Sequence, residues 1–144
     1  MGKIMFAWIG GHDFDAATGT GSGELGPIAS AAIELNFSKI VLLNNYGPER
    51  NAQSYVAWLV DKCRSHVDVV SISLPSPVDF SAIYVSAKAE VGKTLKSDGG
   101  QVAPVFHLSP GTPAMAAVWI MLAKGAFPEA ELIQTSIKQK RRLL

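Results

Sequence analysis

Two groups of residues carry the chemistry this chain offers. The first lies in Phe106-His107-Leu108-Ser109-Pro110-Gly111-Thr112-Pro113-Ala114-Met115. An apolar run ends there in a polar turn that opens directly into a helical pattern. Thr112 is a good N-cap and Pro113 suits the first helical position. Unpaired backbone N–H groups and the helix dipole then point out of the turn, beside the hydroxyls of Ser109 and Thr112. That combination binds anions. The second group is Gly10-Gly11-His12-Asp13, just after the first apolar run. His12 and Asp13 have the chemistry of ligand contacts or of an acid and base pair, and Asp13 equally suits a turn.

Other patterns carry less. His107-Leu108-Ser109-Pro110-Gly111 has the form of a nucleophile elbow with its first glycine replaced. That fold needs a histidine after the serine, and the histidines are His12, His66 and His107. Gly21-Ser22-Gly23-Glu24-Leu25-Gly26 matches G-x-G-x-x-G, yet it stands about ten residues beyond the first strand. Asn44 and Asn45 occupy the place of the expected acid. It reads as a loop entering a helix, or one that closes over a ligand. His107, inside a strand, reads as a hydrogen-bonded core residue. One cysteine, Cys63, and three dispersed histidines give no zinc spacing. Trp8, Trp58 and Trp119 sit in apolar segments and belong to the core. No metal and no cofactor is expected.

The elements that position these groups follow from hydrophobic patterning. Lys3–Gly10, Lys39–Asn44, Val67–Leu74, Val102–Leu108 and Glu131–Thr135 read as strands, apolar enough to be buried on both faces. Helices are expected from Pro27 to about Asn36, from beyond Pro48 to about Arg64, from Ser76-Pro77-Val78-Asp79 (a capping-box pattern) to about Leu95, and from Pro113 to Lys124. Gly125 suits the position after the last helix. Gly10–Gly23 reads as a loop. The alternation predicts a Rossmann-like three-layer α/β sandwich: a mostly parallel sheet of five or six strands with helices on both faces. In the order 3-2-1-4-5, strands one and four meet at the switch point where such sheets bind ligands. Gly10–Gly23 and Ser109–Thr112 then face one crevice.

The helix 113–124 is apolar all round, whereas a covering helix has a polar outer face. A second copy of the chain is the expected cover, with Met115, Val118, Trp119 and Leu122 at a twofold interface. A central helix buried within one chain is the alternative.

Composition bounds the rest. The 144 residues are nearly half hydrophobic, 17% charged, and carry a net charge of +1. One domain with a real core is expected, residues 1–136, followed by a basic tail or linker start at 137–144. No basic block runs through the body, so duplex DNA or membrane binding through charge is not expected. A lone thiol, no signal-peptide pattern and no long apolar run suggest a cytoplasmic protein.

Three segments resemble a family: Gly23-Glu24-Leu25-Gly26-Pro27-Ile28-Ala29, Val41-Leu42-Leu43-Asn44-Asn45-Tyr46 and the turn Phe106–Met115. They resemble the CRISPR-associated Rossmann-fold (CARF) sensor domains, nearest to those fused to sigma-54-dependent activators of the RNA-repair regulator type, which act in transcription regulation. The resemblance implies a homodimer that binds a cyclic oligoadenylate, or a related nucleotide or RNA-end signal, across the twofold axis. By position, Ser109, Pro110, Gly111 and Thr112 then hold phosphate or ribose. Gly10, Gly11, His12 and Asp13 lie opposite, and Asn44 and Asn45 are further candidate contacts. Some members of this family cleave the ring slowly; a ring nuclease and a ligand-free dimerisation module are the alternatives to a sensor. Such sensors precede an effector domain, so an effector domain or partner beyond Leu144 is expected.

Overall fold

The structure, a computed structural model, describes residues 2–20, 24–135 and 142–143. Strand β1 (Gly2–Trp8) leads into helix α1 (Gly11–Thr18), helix α2 (Gly26–Glu34) and strand β2 (Lys39–Asn44). Helix α3 (Ala52–Val60), strand β3 (His66–Ser71), helix α4 (Phe80–Ser97), strand β4 (Val102–His107), helix α5 (Pro113–Lys124), strand β5 (Glu131–Gln134) and strand β6 (Arg142–Leu143) follow. The sheet order is β3-β2-β1-β4-β5-β6. The first five strands are parallel. β6 pairs antiparallel with β5, Ile133 opposite Leu143. The rest of the expected basic tail, residues 137–141 and 144, lies outside the described residues.

β1 explains why the core has two halves. Its side chains alternate across the sheet. Ile4, Phe6 and Trp8 join the residues under α4 and α5. Met5, Ala7 and Ile9 join those under α1, α2 and α3. All six are at most 1% exposed, as a strand covered on both faces requires. On the α5 side Phe106 stacks on Trp119 at 4.6 Å and meets Phe6 edge-on at 6.0 Å.

Two expectations are corrected here. Gly10–Gly23 is not all loop, because residues 11–18 are helical. Asp13 at the third helical position accepts the Gly10 N–H at 2.9 Å, and Gly19 closes the helix at φ +74°, the left-handed conformation that glycine adopts cheaply. Gly21, Ser22 and Gly23 lie outside the described residues. The cap of α4 is Asp79, which accepts from Ala82 N at 3.0 Å; Ser76 lies a turn earlier and accepts from Val78 N at 3.2 Å. Gly125 follows α5 as expected and ends it with a negative φ of −126°.

The predicted interface residues Met115, Val118, Trp119 and Leu122 are also corrected. Each is at most 1% exposed within the single chain. α5 lies against the sheet and against α4, which together take up those faces. The apolar positions it leaves exposed are Ile120 and Met121, at 39% and 48%.

Candidate functional site

The loops after β1 and β4 meet at the carboxyl ends of their strands. A Cβ built on Gly10 would stand 2.8 Å from Gly111 N, so the two turns touch backbone to backbone. Gly111 has φ +91°, and a Cβ there would meet Met115 Sδ and Trp8 Cβ. Glycine at both positions lets the chain pass this close. The first turns of α1 and α5 begin on either side of this contact. The N–H groups of Gly11, His12 and Ala114 have no acceptor within their own helices, by position. They supply the donors and the dipole ends that an anion needs.

Each predicted site residue has a definite place. Gly11 and His12 open α1, and the His12 side chain is exposed. Asp13 is corrected as a direct contact: it is 0% exposed. Its Oδ2 accepts from Gly10 N at 2.9 Å and its Oδ1 from Ile28 N at 3.0 Å. The carboxylate therefore joins the starts of α1 and α2. Burial outweighs these two bonds and the nearby His12, and raises its pKa from 3.8 to about 6.

At the β4 end the anchors are neutral. Thr112 Oγ1 accepts from Met115 N at 3.3 Å and donates to the Pro77 carbonyl at 2.8 Å. Thr112 N–H in turn donates to Met115 Sδ at 3.3 Å. The hydroxyl is the expected cap, but its proton is committed to the segment before α4. Ser109 Oγ donates to Thr135 O at 2.8 Å and accepts from Thr135 N at 2.6 Å, which ties the turn to the end of β5. Both hydroxyls hold the turn in place. The donors left for a ligand are backbone N–H groups. Pro110 is buried beside them, and Gly111 is exposed.

His107 is fully buried. Its Nε2 lies 3.1 Å from Thr135 Oγ1, and its Nδ1 is buried with no partner among the described residues. Burial lowers its pKa from 6.5 to about 3, so the imidazole is neutral. This is the core histidine read from the sequence.

Asn44 and Asn45 are not alike. Asn44 is buried and uses its side chain locally: Oδ1 accepts from Tyr46 N at 3.1 Å. Asn45 is half-buried beside it. Tyr46, given no role from sequence, is better placed than either. Its hydroxyl is 3.5 Å from where a Gly11 Cβ would be, and its ring meets Phe14 edge-on at 5.2 Å. Arg50 lies over the rings of Phe14 and Tyr46 and pairs with Asp15 at 2.9 Å. A tyrosine next to the asparagines of the family-like segment was the available signal. Arg50 left none, because it is 35 residues from Asp15.

A cavity of about 300 Å³ lies elsewhere, lined by Lys3, Leu35, Asn36, Phe37, Val105, Glu131 and Ile133. Its one cation, Lys3, is already paired with Glu131 at 2.8 Å, and its other lining residues are mostly apolar. It lacks the chemistry for phosphate. Among the described residues, no group of three or more His, Cys, Asp or Glu could hold a metal ion. Among them, too, no helix is long and apolar enough to cross a membrane.

No protein-family model matches the chain, and no curated protein matches it. Solved structures do. Csm6 of Enterococcus italicus, bound to cyclic hexa-2′-fluoro-hexa-dAMP, superposes with a TM-score of 0.80 at 15% identity over 94% of this chain and 34% of its own. Protein VC1899 from Vibrio cholerae gives 0.62 at 16% identity, over 93% and 30%. Can2 from Sulfobacillus thermosulfidooxidans, in complex with cyclic tetra-adenylate, gives 0.62 at 11% identity, over 93% and 32%. The chain thus spans about a third of the length of each. At such identities the likeness is one of fold, and it bears out the Rossmann-like α/β sandwich expected from the sequence.

Proposed function

We propose that this chain is a sensor domain that binds a cyclic oligoadenylate between the turns after β1 and β4. One observation carries the reading: the backbone contact of Gly10 with Gly111, which brings the starts of α1 and α5 to one place. Two helix N-termini there offer converging N–H groups to a phosphate-rich ligand. The fold likeness to two proteins solved with cyclic adenylates supports the ligand class. The ligand lies across the twofold axis of a homodimer, so each copy contributes one such pair of helix starts. Exposed Ile120 and Met121 on α5 are apolar surface available to a partner. The tie to sigma-54-dependent regulators, and to an effector beyond Leu144, rests on the sequence resemblance alone.

Isothermal titration with cyclic tri-, tetra- and hexa-adenylate, and with RNA bearing a 2′,3′-cyclic phosphate, tests the reading. The expected result is saturable binding of a cyclic adenylate, one ring per two chains. Absence of heat with every one of these ligands contradicts it. Chromatography of the ligand after long incubation separates sensing from ring cleavage: the sensor returns it intact.

A further inference from the structure

The buried Asp13 carboxylate is more than a cap. It grips Gly10 N–H and Ile28 N–H with separate oxygens, and so ties the end of β1 to the starts of two helices. A Cβ on Gly10 would stand 3.4 Å from Asp13 Oδ2 and 2.8 Å from Gly111 N. The carboxylate therefore packs directly behind the point where the two turns touch. A Cβ on Gly26, whose φ is +81°, would stand 3.2 Å from Asp13 Oδ1. The N–H groups of Gly11 and His12 belong to the same helical turn as this carboxylate. An anion bound by them must share that turn with a buried negative charge.

We propose that Asp13 is the positioning residue of the anion site, fixing Gly10–His12 through Gly10 and Ile28, and that anion binding there draws a proton onto its carboxyl. This rests on the ligand reading above for the identity of the anion only. Like charges close together in a buried setting cannot both remain ionised cheaply. The carboxyl is already easy to protonate, since burial holds its pKa at about 6. Binding and protonation then favour each other by linkage. The charged and titratable neighbours are few. His12 precedes it on α1, and Asp15 follows, paired with Arg50. Tyr55 of α3 feels its charge. α2 meets it through the backbone of Gly26 and Ile28, and the β4 turn approaches Gly10, the residue it holds.

The test has two arms. In the ligand-free protein, the amide signals of Gly10 and Ile28 should move together with pH around 6 and stay still in Asp13→Asn. Amides that do not move overturn the clamp, whatever the protein binds. In the second arm, cyclic tetra- and hexa-adenylate are titrated at pH 5.5 and 7.5. Wild type should bind about five- to tenfold more tightly at pH 5.5. Asp13→Asn, which is neutral like the protonated acid but can accept only one of the two N–H groups, should lose the pH dependence. Asp13→Ala, which leaves both N–H groups unpaired, should lose about tenfold at either pH. His12→Gln, whatever its absolute affinity, should still bind more tightly at pH 5.5 than at pH 7.5; a flat profile there assigns the proton to His12 and overturns the coupling. Weaker wild-type binding at pH 5.5 overturns it too. The wild-type and His12→Gln profiles decide the coupling even if the Asp13 variants do not fold. If the amides titrate but neither ring binds, the clamp stands, and the ligand reading and the proton coupling both fall.

Discussion

The ends of β1 and β4 solve the same problem with opposite chemistry. Each strand must stop at the switch point, turn sharply and start a helix. At the end of β1 the anchor is a buried acid, Asp13, whose pKa is raised to about 6. At the end of β4 the anchors are neutral, Thr112 and Ser109, beside a buried base, His107, whose pKa is lowered to about 3. The first turn thus has a charge that responds to pH and, in the proposed coupling, to a bound anion. The second is held by hydroxyls that respond to neither. The difference teaches that burial of an ionisable group here has a sign. Asp13 makes folding easier in acid and His107 makes it harder.

The largest effect expected from breaking this pair is steric. Gly10→Ala has no φ strain, but its Cβ would lie 2.8 Å from Gly111 N, a backbone atom that cannot step aside alone. Overpacking of this kind costs about 3 kcal/mol. Gly111→Ala meets Met115 Sδ, on an unbranched side chain that can change rotamer, and Trp8 Cβ at 3.3 Å, so its cost, about 1–3 kcal/mol, comes mostly from φ +91°. Urea unfolding should rank Gly10→Ala as the more damaging; the reverse order would mean that the turns do not abut as described.

The next effect is the pH dependence of stability. Asp13 has its higher pKa in the folded state. Its contribution is fully present below pH 3.8 and is lost as pH rises through about 6. His107 has its lower pKa in the folded state. Its contribution is present above pH 6.5 and is lost as pH falls toward about 3. Between pH 4 and 6 the two slopes are opposite, each about 1.4 kcal/mol per pH unit. Wild type should therefore show little net slope from this pair. Asp13→Asn should lose about 2–3 kcal/mol of stability from pH 6 to pH 4. His107→Gln should gain as much over the same interval. Equal slopes in both variants would contradict the assignment.

The smallest effect concerns the neutral anchor. Thr112→Ala removes the cap of α5 and the strap to Pro77, for about 1–2 kcal/mol. Thr112→Ser should restore most of that by thermal unfolding. Neither should alter the pH profile.

Much of the fold was legible in the sequence because it is locally encoded. β2 and α5 have the predicted bounds, Lys39–Asn44 and Pro113–Lys124, since continuous apolar runs between turn residues admit few readings. The order 3-2-1-4-5, on which the shared crevice was conditional, is the one the five parallel strands adopt. α1 was missed because the glycines and threonines of Gly10–Gly23 argue for loop. The helix depends on Asp13 and on Ile28 N, 15 residues away. The all-apolar helix was read as needing a partner chain, since no local pattern shows that α4 and the sheet take up Met115, Val118, Trp119 and Leu122. Ser109 and Thr112 were placed correctly in the turn, but their partners, Thr135 and Pro77, are 26 and 35 residues away. Distance along the chain hid that both hydroxyls were already engaged.

The central claim is that nucleotide phosphate is held by the backbone between the two turns. Amide shift mapping of the chain titrated with cyclic hexa- and tetra-adenylate tests it most directly. The expected result is saturable perturbation concentrated at residues 10–12 and 111–114. No perturbation with either ring, or one centred on the cavity at Lys3, Phe37 and Ile133, would contradict it.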